Sequence, residues 1–279
     1  MKKIIFVLII LGLASSSYAM SVGGPDMSVP EKSLYTKEKA VDAELDKYEF
    51  NMNVRTGVEA ELIFDRDLDS AEADTTSAKL KGQNYMIKFS NNFYDVIEPY
   101  IKIGTSNLKA EWDQFGRSVE IEADPGFMWA MGARAILADI EDYNVKVSLD
   151  VQFRSMDTEI DTAELDGASQ SSIIGEEFKI DEWQISLMAS KKYVVPFSYH
   201  DYYAIPYGGI TYSLTDIDVS FTDPSNNLLY SLFNADDDRE FGLVLGVDVM
   251  PSLASWYLFN IEMKFLNEFA LTLGSTIKF

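Results

Sequence analysis

The sequence predicts an all-β protein, a transmembrane antiparallel up-and-down β-barrel of about ten strands, with eight or twelve as alternatives. Three observations predict it: apolar and polar residues alternate from residue 48 to residue 279, the alternating stretches are long and carry aromatic residues near their ends, and the connections alternate between long and short. The 279 residues include no cysteine and one histidine, and the formal net charge is −22. This composition excludes disulfide frameworks, thiolate metal sites and multi-histidine sites, and the charge argues against nucleic-acid binding.

Residues 1–19 have the features of a cleaved export signal. Lys2 and Lys3 precede an apolar run from Ile4 to Leu13, and Ser17-Tyr18-Ala19 provides small residues at the positions that a signal peptidase recognises. The apolar run is too short for a membrane-spanning helix, which needs about 20 apolar residues. We therefore predict an exported protein.

Residues 20–47 differ from the rest of the mature chain. They are polar and mixed in charge, with two prolines near their start. We expect a periplasmic N-terminal extension that acts as a tether, in preference to a plug for the barrel, because short terminal segments are usually poorly ordered. The barrel itself is assigned to residues 48–279.

The period along residues 48–279 is two. Between Tyr143 and Arg154, the odd-numbered residues are apolar and the even-numbered residues from Lys146 onward are polar or charged. Successive side chains of a strand point to opposite faces, so this pattern predicts strands with one apolar and one polar face. The stretches run to about 10–13 residues, longer than most globular strands. A transmembrane barrel requires such strands, apolar outside and polar inside, with aromatic girdles.

Ten segments follow this pattern. They are residues 53–64, 83–91, 97–107, 126–138, 143–155, 179–191, 202–214, 239–250, 255–265 and 268–279. Long connections follow the first, third, fifth and seventh segments, at residues 65–82, 108–125, 156–178 and 215–238. Bacterial barrels have long extracellular loops and short periplasmic turns, so these four regions are predicted to be extracellular loops.

The sequence Thr272-Leu273-Gly274-Ser275-Thr276-Ile277-Lys278-Phe279 resembles the C-terminal assembly signal of Gram-negative outer-membrane proteins. The polar residue, the glycine, the hydrophobic residue and the terminal aromatic residue of that signal correspond to Thr272, Gly274, Ile277 and Phe279. Residues 48–279 thus resemble the outer-membrane β-barrel superfamily, in its small porin-like group. The resemblance implies insertion by the barrel-assembly machinery and contact with outer-membrane lipid and lipopolysaccharide. It implies no single function, because the superfamily includes structural proteins, pores, adhesins and enzymes.

Charged residues on the inward face of the predicted strands predict a lumen network. Seven bases and seven acids belong to it: Arg55, Lys88, Lys102, Arg134, Lys146, Arg154, Lys264, Glu59, Glu61, Asp150, Glu182, Glu240, Asp248 and Glu262. An unpaired buried charge costs several kcal/mol, so this balance favours a paired network in a narrow lumen. A selective pore more often shows an excess of one sign. The sequence therefore favours a structural or narrow porin-like protein.

The four long connections hold 23 of the 45 acidic residues. Carboxylate oxygens are ligands for hard divalent cations, which makes such cations candidate partners and a surface-binding or adhesion protein the alternative function. Asp65-x-Asp67-x-Asp69 resembles the start of a calcium loop but lacks its glycine and distal glutamate. The pattern therefore favours a solvated anionic surface without a metal site.

His200, beside Asp201, is the one candidate for catalysis. The ten-stranded omptin proteases use Asp/His pairs at the extracellular rim, whereas His200 lies in the predicted periplasmic connection 192–201, and their paired aspartates have no counterpart here. A barrel esterase acting on lipid A would need a histidine and a serine at neighbouring rim positions of the lipid face. We therefore predict no catalytic residue and no cofactor, with a barrel-embedded hydrolase as the less favoured alternative.

Overall fold

The computed structural model of the protein describes residues 21–30, 34, 52–70, 75–169, 176–197, 200–223, 228–238, 240–252 and 255–279. The strands are β1 (Met52–Ser70), β2 (Thr75–Phe93), β3 (Ile97–Gln114), β4 (Arg117–Ala123), β5 (Gly126–Ile140), β6 (Val145–Leu165), β7 (Ala168–Ser169), β8 (Glu176–Lys191), β9 (Tyr193–Phe197), β10 (His200–Asp223), β11 (Leu228–Asp237), β12 (Phe241–Met250), β13 (Tyr257–Phe265) and β14 (Glu268–Lys278). A 3-10 turn, Glu141–Tyr143, precedes β6. Within these ranges no helix is long and apolar enough to cross a membrane.

Ten of the strands close into an antiparallel ring. The order is β1, β2, β3, β5, β6, β8, β10, β12, β13, β14 and back to β1. The closing pair runs from Arg55 opposite Lys278 to Arg66 opposite Glu268. Closure pairs the edge strands with each other, which is how a sheet satisfies its backbone in lipid. The prediction of a ten-stranded transmembrane up-and-down barrel is confirmed.

The outer surface of this ring is an apolar belt. Val58, Ile101 and Leu245 are 54%, 53% and 57% exposed. Exposure of so large an apolar area to water would be unfavourable. Aromatic rings on neighbouring strands contact each other at one margin of the belt: the centroids of Phe153 and Trp183 lie 5.0 Å apart. The belt and its aromatic margin have the arrangement of a lipid-facing surface.

Several strands continue beyond the belt, and their polarity reverses there. Along β3 the even-numbered residues face inward throughout; they are mainly polar up to Ser106 and apolar from Leu108 to Trp112. The outward residues are apolar up to Ile103 and become charged from Lys109. The pleat fixes which residues share a face, so only the composition of each face has changed. The reversal marks the height at which the strands leave the bilayer.

Beyond the belt the ring has eight strands. β4 pairs with β3 and β6 in place of β5, and β11 pairs with β10 and β1 in place of β12, β13 and β14. We call this eight-stranded part the extended end, and the opposite end, where β1 begins and β14 ends, the terminal end. The prediction that residues 65–82, 108–125, 156–178 and 215–238 are loops is wrong for most of their described residues, which form strands. The two-residue alternation of inward and outward side chains continues through these regions. The sequence analysis interpreted them as loops because they contain many acidic residues, which lie on the outward face.

The interior of the extended end is filled by an apolar cluster. Its members are Ile63, Leu68, Ala78, Leu80, Met86, Leu108, Ala110, Trp112, Ile121, Ala123, Met128, Met156, Ile160, Phe178, Ile180, Ile217, Val219, Phe233, Ala235 and Ala270. Trp112 of β3 stacks on Phe233 of β11 across the interior, with ring centroids 4.3 Å apart. Side chains can just fill an eight-stranded barrel, so the narrowing from ten strands to eight allows this core to pack.

Candidate functional site

The barrel interior below the apolar cluster is occupied by part of the chain itself. Residues 21–30, which we call the inserted segment, lie inside the ring, with Ser21 and Val22 each 1% exposed and Met27 fully buried. The backbone N–H of Leu34 donates to the Lys278 carbonyl at 2.8 Å, so the chain reaches the terminal end there. The expectation of a periplasmic tether over residues 20–47 is therefore wrong for residues 21–30. The rest of that range, apart from Leu34, lies outside the described residues.

The upper half of the inserted segment is held through its backbone. The Glu262 carboxylate accepts the N–H groups of Val22 and Gly23 at 3.0 and 2.9 Å. The Arg134 guanidinium donates to the carbonyls of Val22 and Gly24. These contacts satisfy backbone groups that would otherwise be buried without partners.

Three further cations also contact the inserted segment. The Lys102 ammonium donates to the Ser21 carbonyl at 2.8 Å, and the Arg55 guanidinium donates to the Met27 carbonyl. Lys146 pairs with Asp26 at 2.9 Å. Four basic residues that the sequence assigned to a network of strand residues thus contact the N-terminal segment as well.

Gly24 lies where no other residue fits without movement. A Cβ atom at this position would lie 1.5 Å from Oδ2 of Asp248, and Asp248 is itself held by a 2.6 Å hydrogen bond from Asn260. The space left between the segment and the wall is a cavity of about 40 Å³, lined in part by Asp248, Glu98 and Gly274. That volume holds a few water molecules at most.

An ionic layer separates the inserted segment from the apolar cluster. Arg66 lies 3.2 Å from Glu182, 2.7 Å from Asp237 and 3.7 Å from Glu268. Arg154 pairs with Glu182 and, at 3.2 Å, with Glu61. Lys264 pairs with Glu268 at 3.3 Å. These side chains are almost completely buried, so their charges are stabilised by one another and not by solvent.

Thirteen of the fourteen residues predicted for the lumen network lie inside the barrel, eleven of them buried and Glu59 and Lys146 partly buried. Glu240 is the exception: it is exposed on the outside, where Tyr212 forms a hydrogen bond with it. Its position before β12 places it beyond the bilayer, so the alternation of β12 does not extend to it.

The sequence analysis missed Arg66, Glu98, Glu268 and Asp26 as interior charges. In β1 the register shifts between Ile63 and Asp65, and this bulge turns even-numbered residues inward above it. Below the bulge the odd-numbered residues of β1 face the lumen, whereas above it the even-numbered Arg66 does. Glu98 forms an ion pair with Lys88 at 3.1 Å. It lies on the same even-numbered, inward face of β3 as Lys102, so the alternation could have identified it.

The four residues matched to the assembly signal lie on or beside the closing strand β14. Thr272 is buried and faces the lumen, and Ile277 pairs with Thr56 of β1 and Tyr257 of β13. The Phe279 N–H donates to the Val54 carbonyl at 2.9 Å. Recognition of this strand by an assembly machinery stays a prediction.

The outward face of the extended end carries carboxylates on strands. Lys79 pairs with Asp65 at 2.8 Å, and this hydrogen bond raises the pKa of the lysine. Burial and, next, the charges of Asp216 and Asp237 raise the pKa of Asp236. The described residues include no cluster of three or more acids or histidines arranged to hold a metal ion. Capture of divalent cations stays a prediction.

His200 opens β10, with its backbone opposite Phe197. Its side chain lies outside what the structure describes, and the neighbouring Asp201 is exposed. The hydrolase alternative therefore stays untested.

Neither a protein-family model nor a curated protein matches the sequence. Among solved structures, the chain is similar to the translocator domain of autotransporter NalP from Neisseria meningitidis, with 12% identity, a TM-score of 0.39, and 86% of this chain and 93% of that chain covered. It is similar to the transport unit of the autotransporter AIDA-I from Escherichia coli, with 8% identity, a TM-score of 0.41, and coverage of 91% and 95%. It is also similar to the outer membrane protease OmpT from Escherichia coli, with 10% identity, a TM-score of 0.45, and coverage of 82% and 95%. None of these likenesses carries an argument, and the assignment to a transmembrane β-barrel rests on the closed ring, its apolar belt and its polar interior.

Proposed function

We propose that the protein is a closed, non-conducting β-barrel of the Gram-negative outer membrane, with a structural role and a rigid acidic surface. In this proposal the export signal is removed after Ala19, the terminal end faces the periplasm and the extended end faces the outside. The long strands of the extended end then correspond to the long extracellular connections of bacterial barrels. Outer-membrane lipid and lipopolysaccharide contact the belt, and the barrel-assembly machinery inserts the chain.

The apolar cluster of the extended end is the observation that carries the proposal. An ion crossing the barrel would have to pass a packed core in which Phe178, Phe233 and Leu108 are fully buried. Moving an ion into such a region costs several kcal/mol or more even when the group relaxes. The inserted segment closes the lumen a second time below this core, so neither a narrow pore nor a selective one is favoured.

Recordings in planar lipid bilayers test the proposal. We expect the purified protein to insert without stable conductance steps, and a porin of known conductance serves as the control for insertion. A variant lacking residues 21–30 should also be silent if it folds, because the apolar cluster remains. Large, stable steps from the unaltered protein would overturn the closed-barrel proposal.

The surface-binding alternative is supported by one feature of the extended end. A groove of about 470 Å³ is lined by Phe153 and Trp183 together with Asp181, Asp216, Asp236 and Glu240. Asp237 also borders the groove, but its carboxylate is buried against Arg66. Aromatic faces and carboxylates both attract cationic groups. Titration with calcium ions and, separately, with a cationic peptide tests it: unchanged melting temperature and unchanged tryptophan fluorescence in both titrations would count against this alternative.

A further inference from the structure

We propose that the lipid-facing belt contains a binding site for one lipid acyl chain, in a groove that crosses β14, β1, β2, β3 and β5. The groove has a volume of about 660 Å³, and all of its lining residues belong to these five strands. The inference adds a defined site to the general contact between belt and lipid. It rests on the proposed function only for the leaflet from which the chain comes.

Large and small side chains alternate along the groove. Direct cross-strand pairing makes one row of five outward residues: Leu273, Ala60, Tyr85, Thr105 and Phe127. The three large side chains form ridges, and the alanine and the threonine leave troughs between them. Ser275 of β14 lines the groove in the next row, where it pairs with Val58. The groove therefore comes from side-chain size, since the sheet beneath it is continuous.

The dimensions of the groove match one leaflet of a bilayer. Adjacent strands lie about 4.8 Å apart, so five strands span about 19 Å. Strands of membrane barrels tilt by about 40° from the membrane normal, so a groove perpendicular to them is inclined by about 50° and descends about 12 Å. Half of the hydrocarbon core is about 15 Å thick. A chain that lies along the groove therefore stays within one leaflet.

The upper end of the groove is at Phe127. This residue lies near the start of β5, and Trp129, the next outward residue, contacts Phe153 of the aromatic margin with ring centroids 5.5 Å apart. Leu273 lies in the middle of β14, so the groove descends from the margin of the belt towards the bilayer centre. An acyl chain in this groove thus belongs to a lipid whose headgroup lies on the side of the extended end.

Polar groups border the groove at the level of that headgroup. Gln83 and Asn107 pair with each other one row above Tyr85 and Thr105. The Tyr85 hydroxyl donates to Oε1 of Gln83 at 3.2 Å. Amides and a hydroxyl group are suited to the interfacial region, whereas the groove below them is apolar, so the sequence of surfaces matches a lipid headgroup followed by its chain.

Hydrocarbon is the occupant that the surroundings supply. The groove is continuous with the lipid-facing belt, and its mainly apolar lining offers water few hydrogen-bond partners. An empty groove would forfeit dispersion contacts on both the protein side and the lipid side. An acyl chain therefore fills the space, and the ridges of Tyr85, Phe127 and Leu273 restrict its lateral movement.

A second copy of the chain fits the groove less well. Two barrels inserted in the same direction can be related only by a two-fold axis along the membrane normal. Such an axis makes the two inclined grooves cross each other. The ridge at Tyr85 of one copy then meets the groove of the other at a single point and cannot fill it.

Photolabelling of the full mature chain in lipid vesicles tests the proposal. The vesicles consist of palmitoyl-oleoyl phosphatidylglycerol with a small fraction of the same lipid carrying a diazirine on its palmitoyl chain, and mass spectrometry locates the label after irradiation. We expect residues of the groove to be labelled about fivefold more than equally exposed residues of the belt. About ten additional atom contacts of ordinary dispersion strength correspond to that factor.

Ala60→Phe fills a trough and should remove this enrichment, leaving the groove within about twofold of the rest of the belt. Ala133→Phe is the matched control, because Ala133 is an exposed outward residue of β5 that does not line the groove. Both variants place the same ring on a lipid-facing surface, and the control should keep the full enrichment. If Ala60→Phe does not fold, Thr105→Leu fills the neighbouring trough and should have the same effect.

Uniform labelling of the belt would overturn the proposal, as would full enrichment in both groove-filling variants. Covalent dimers linked through groove residues would also overturn it, since they would identify a second copy as the occupant. Conductance recordings are independent of this test. A silent barrel with uniform labelling would refute the acyl-chain site and leave the closed barrel intact, whereas a conducting barrel with an enriched groove would do the reverse.

Discussion

Replacement of Phe233 by alanine tests whether the apolar cluster is a packed core. Phe233 is fully buried on β11, and it stacks on Trp112, which approaches from β3. Its removal leaves a cavity between strands that are fixed by pairing to β1 and β10, so the site has little freedom to collapse.

The magnitude follows from burial and from the lost ring contact. Phe→Ala substitutions at buried sites cost about 3–5 kcal/mol, of which an aromatic pair accounts for about 0.5–1.5 kcal/mol. The Nε1 of Trp112 is buried and has no hydrogen-bond partner among the residues that the structure describes, so any water that reaches it through the new space offsets part of the loss. We expect a net cost of about 3–4 kcal/mol.

Denaturant unfolding in detergent, followed by tryptophan fluorescence, measures this cost. With a slope of about 3 kcal/mol/M, the midpoint should fall by about 1 M. Phe241→Ala is the control, because Phe241 is 63% exposed on the outer face and its removal should cost less than about 1 kcal/mol. Equal midpoints for the two variants would refute the interpretation of the cluster as a packed core. The remaining apolar side chains of the cluster still enclose the cavity, so the Phe233→Ala variant should also remain silent in bilayers.

Two further predictions concern charge. Arg66→Ala leaves three buried carboxylates without their shared cation, and it should lower the free energy of unfolding by about 3–5 kcal/mol. Arg117→Ala is the control: it removes a half-exposed ion pair and should cost less than about 1 kcal/mol in the same unfolding assay. Burial and the neighbouring carboxylates Asp216 and Asp237 raise the folded-state pKa of Asp236 above its unfolded value, so its ionisation opposes folding. The contribution of Asp236 to stability should therefore become more favourable as pH falls through that raised pKa. Asp236→Asn should raise the melting temperature at pH 7 and flatten its dependence on pH as the pH falls from 7 towards the ordinary aspartate pKa of about 4. A melting temperature that falls over this range, with no difference between the two proteins, would contradict the assignment.

The barrel could be predicted from the sequence because its two faces have different surroundings: lipid selects apolar residues outside, and the lumen selects polar residues inside. Alternation along Tyr143–Arg154 reports which residues meet lipid and which meet the lumen, and that requirement holds for every strand in the bilayer. The same alternation placed thirteen of fourteen charges inside. Glu240 was misplaced because it lies outside the bilayer, where an outward charge is favourable.

The extended end could not be recognised with the same rule. Beyond the bilayer the outward face meets water, so apolar residues move to the inward positions, and a strand such as β3 carries acids outside and Trp112 inside. A search for apolar-out strands ends at this reversal. A search for period two alone would have continued through it. The bulge in β1 adds a second obstacle, since nothing in the sequence marks the shift that turns Arg66 inward.

The inserted segment was missed for a different reason: its contacts are mostly made by its backbone. Glu262 and Arg134 bind N–H groups and carbonyls of Val22, Gly23 and Gly24, which any sequence possesses. The polar side chains that contact the wall are those of Asp26 and Ser28, through Lys146, and the apolar side chains of Val22 and Val29 pack in two small clusters with wall residues. The small residues were the available signal, because a glycine at position 24 is required by the carboxylate of Asp248.

The balance of charge inside the barrel connects these features. Most buried charges of the strands pair with other strand residues, but Glu262 has no cation partner among the described residues. Its carboxylate accepts a hydrogen bond from Tyr207 and two from backbone N–H groups of the inserted segment. Without the segment, Glu262 would keep its hydrogen bond from Tyr207 and Arg134 its ion pair with Asp150, but the atoms of both that now bind the segment would face the lumen and bind water. The inserted segment is therefore a structural element of the barrel, although it precedes the barrel strands in the sequence. In the part of the chain that the structure describes, the lumen holds an apolar core above and the inserted segment below, so in the closed-barrel proposal a solute could cross only if both were lost.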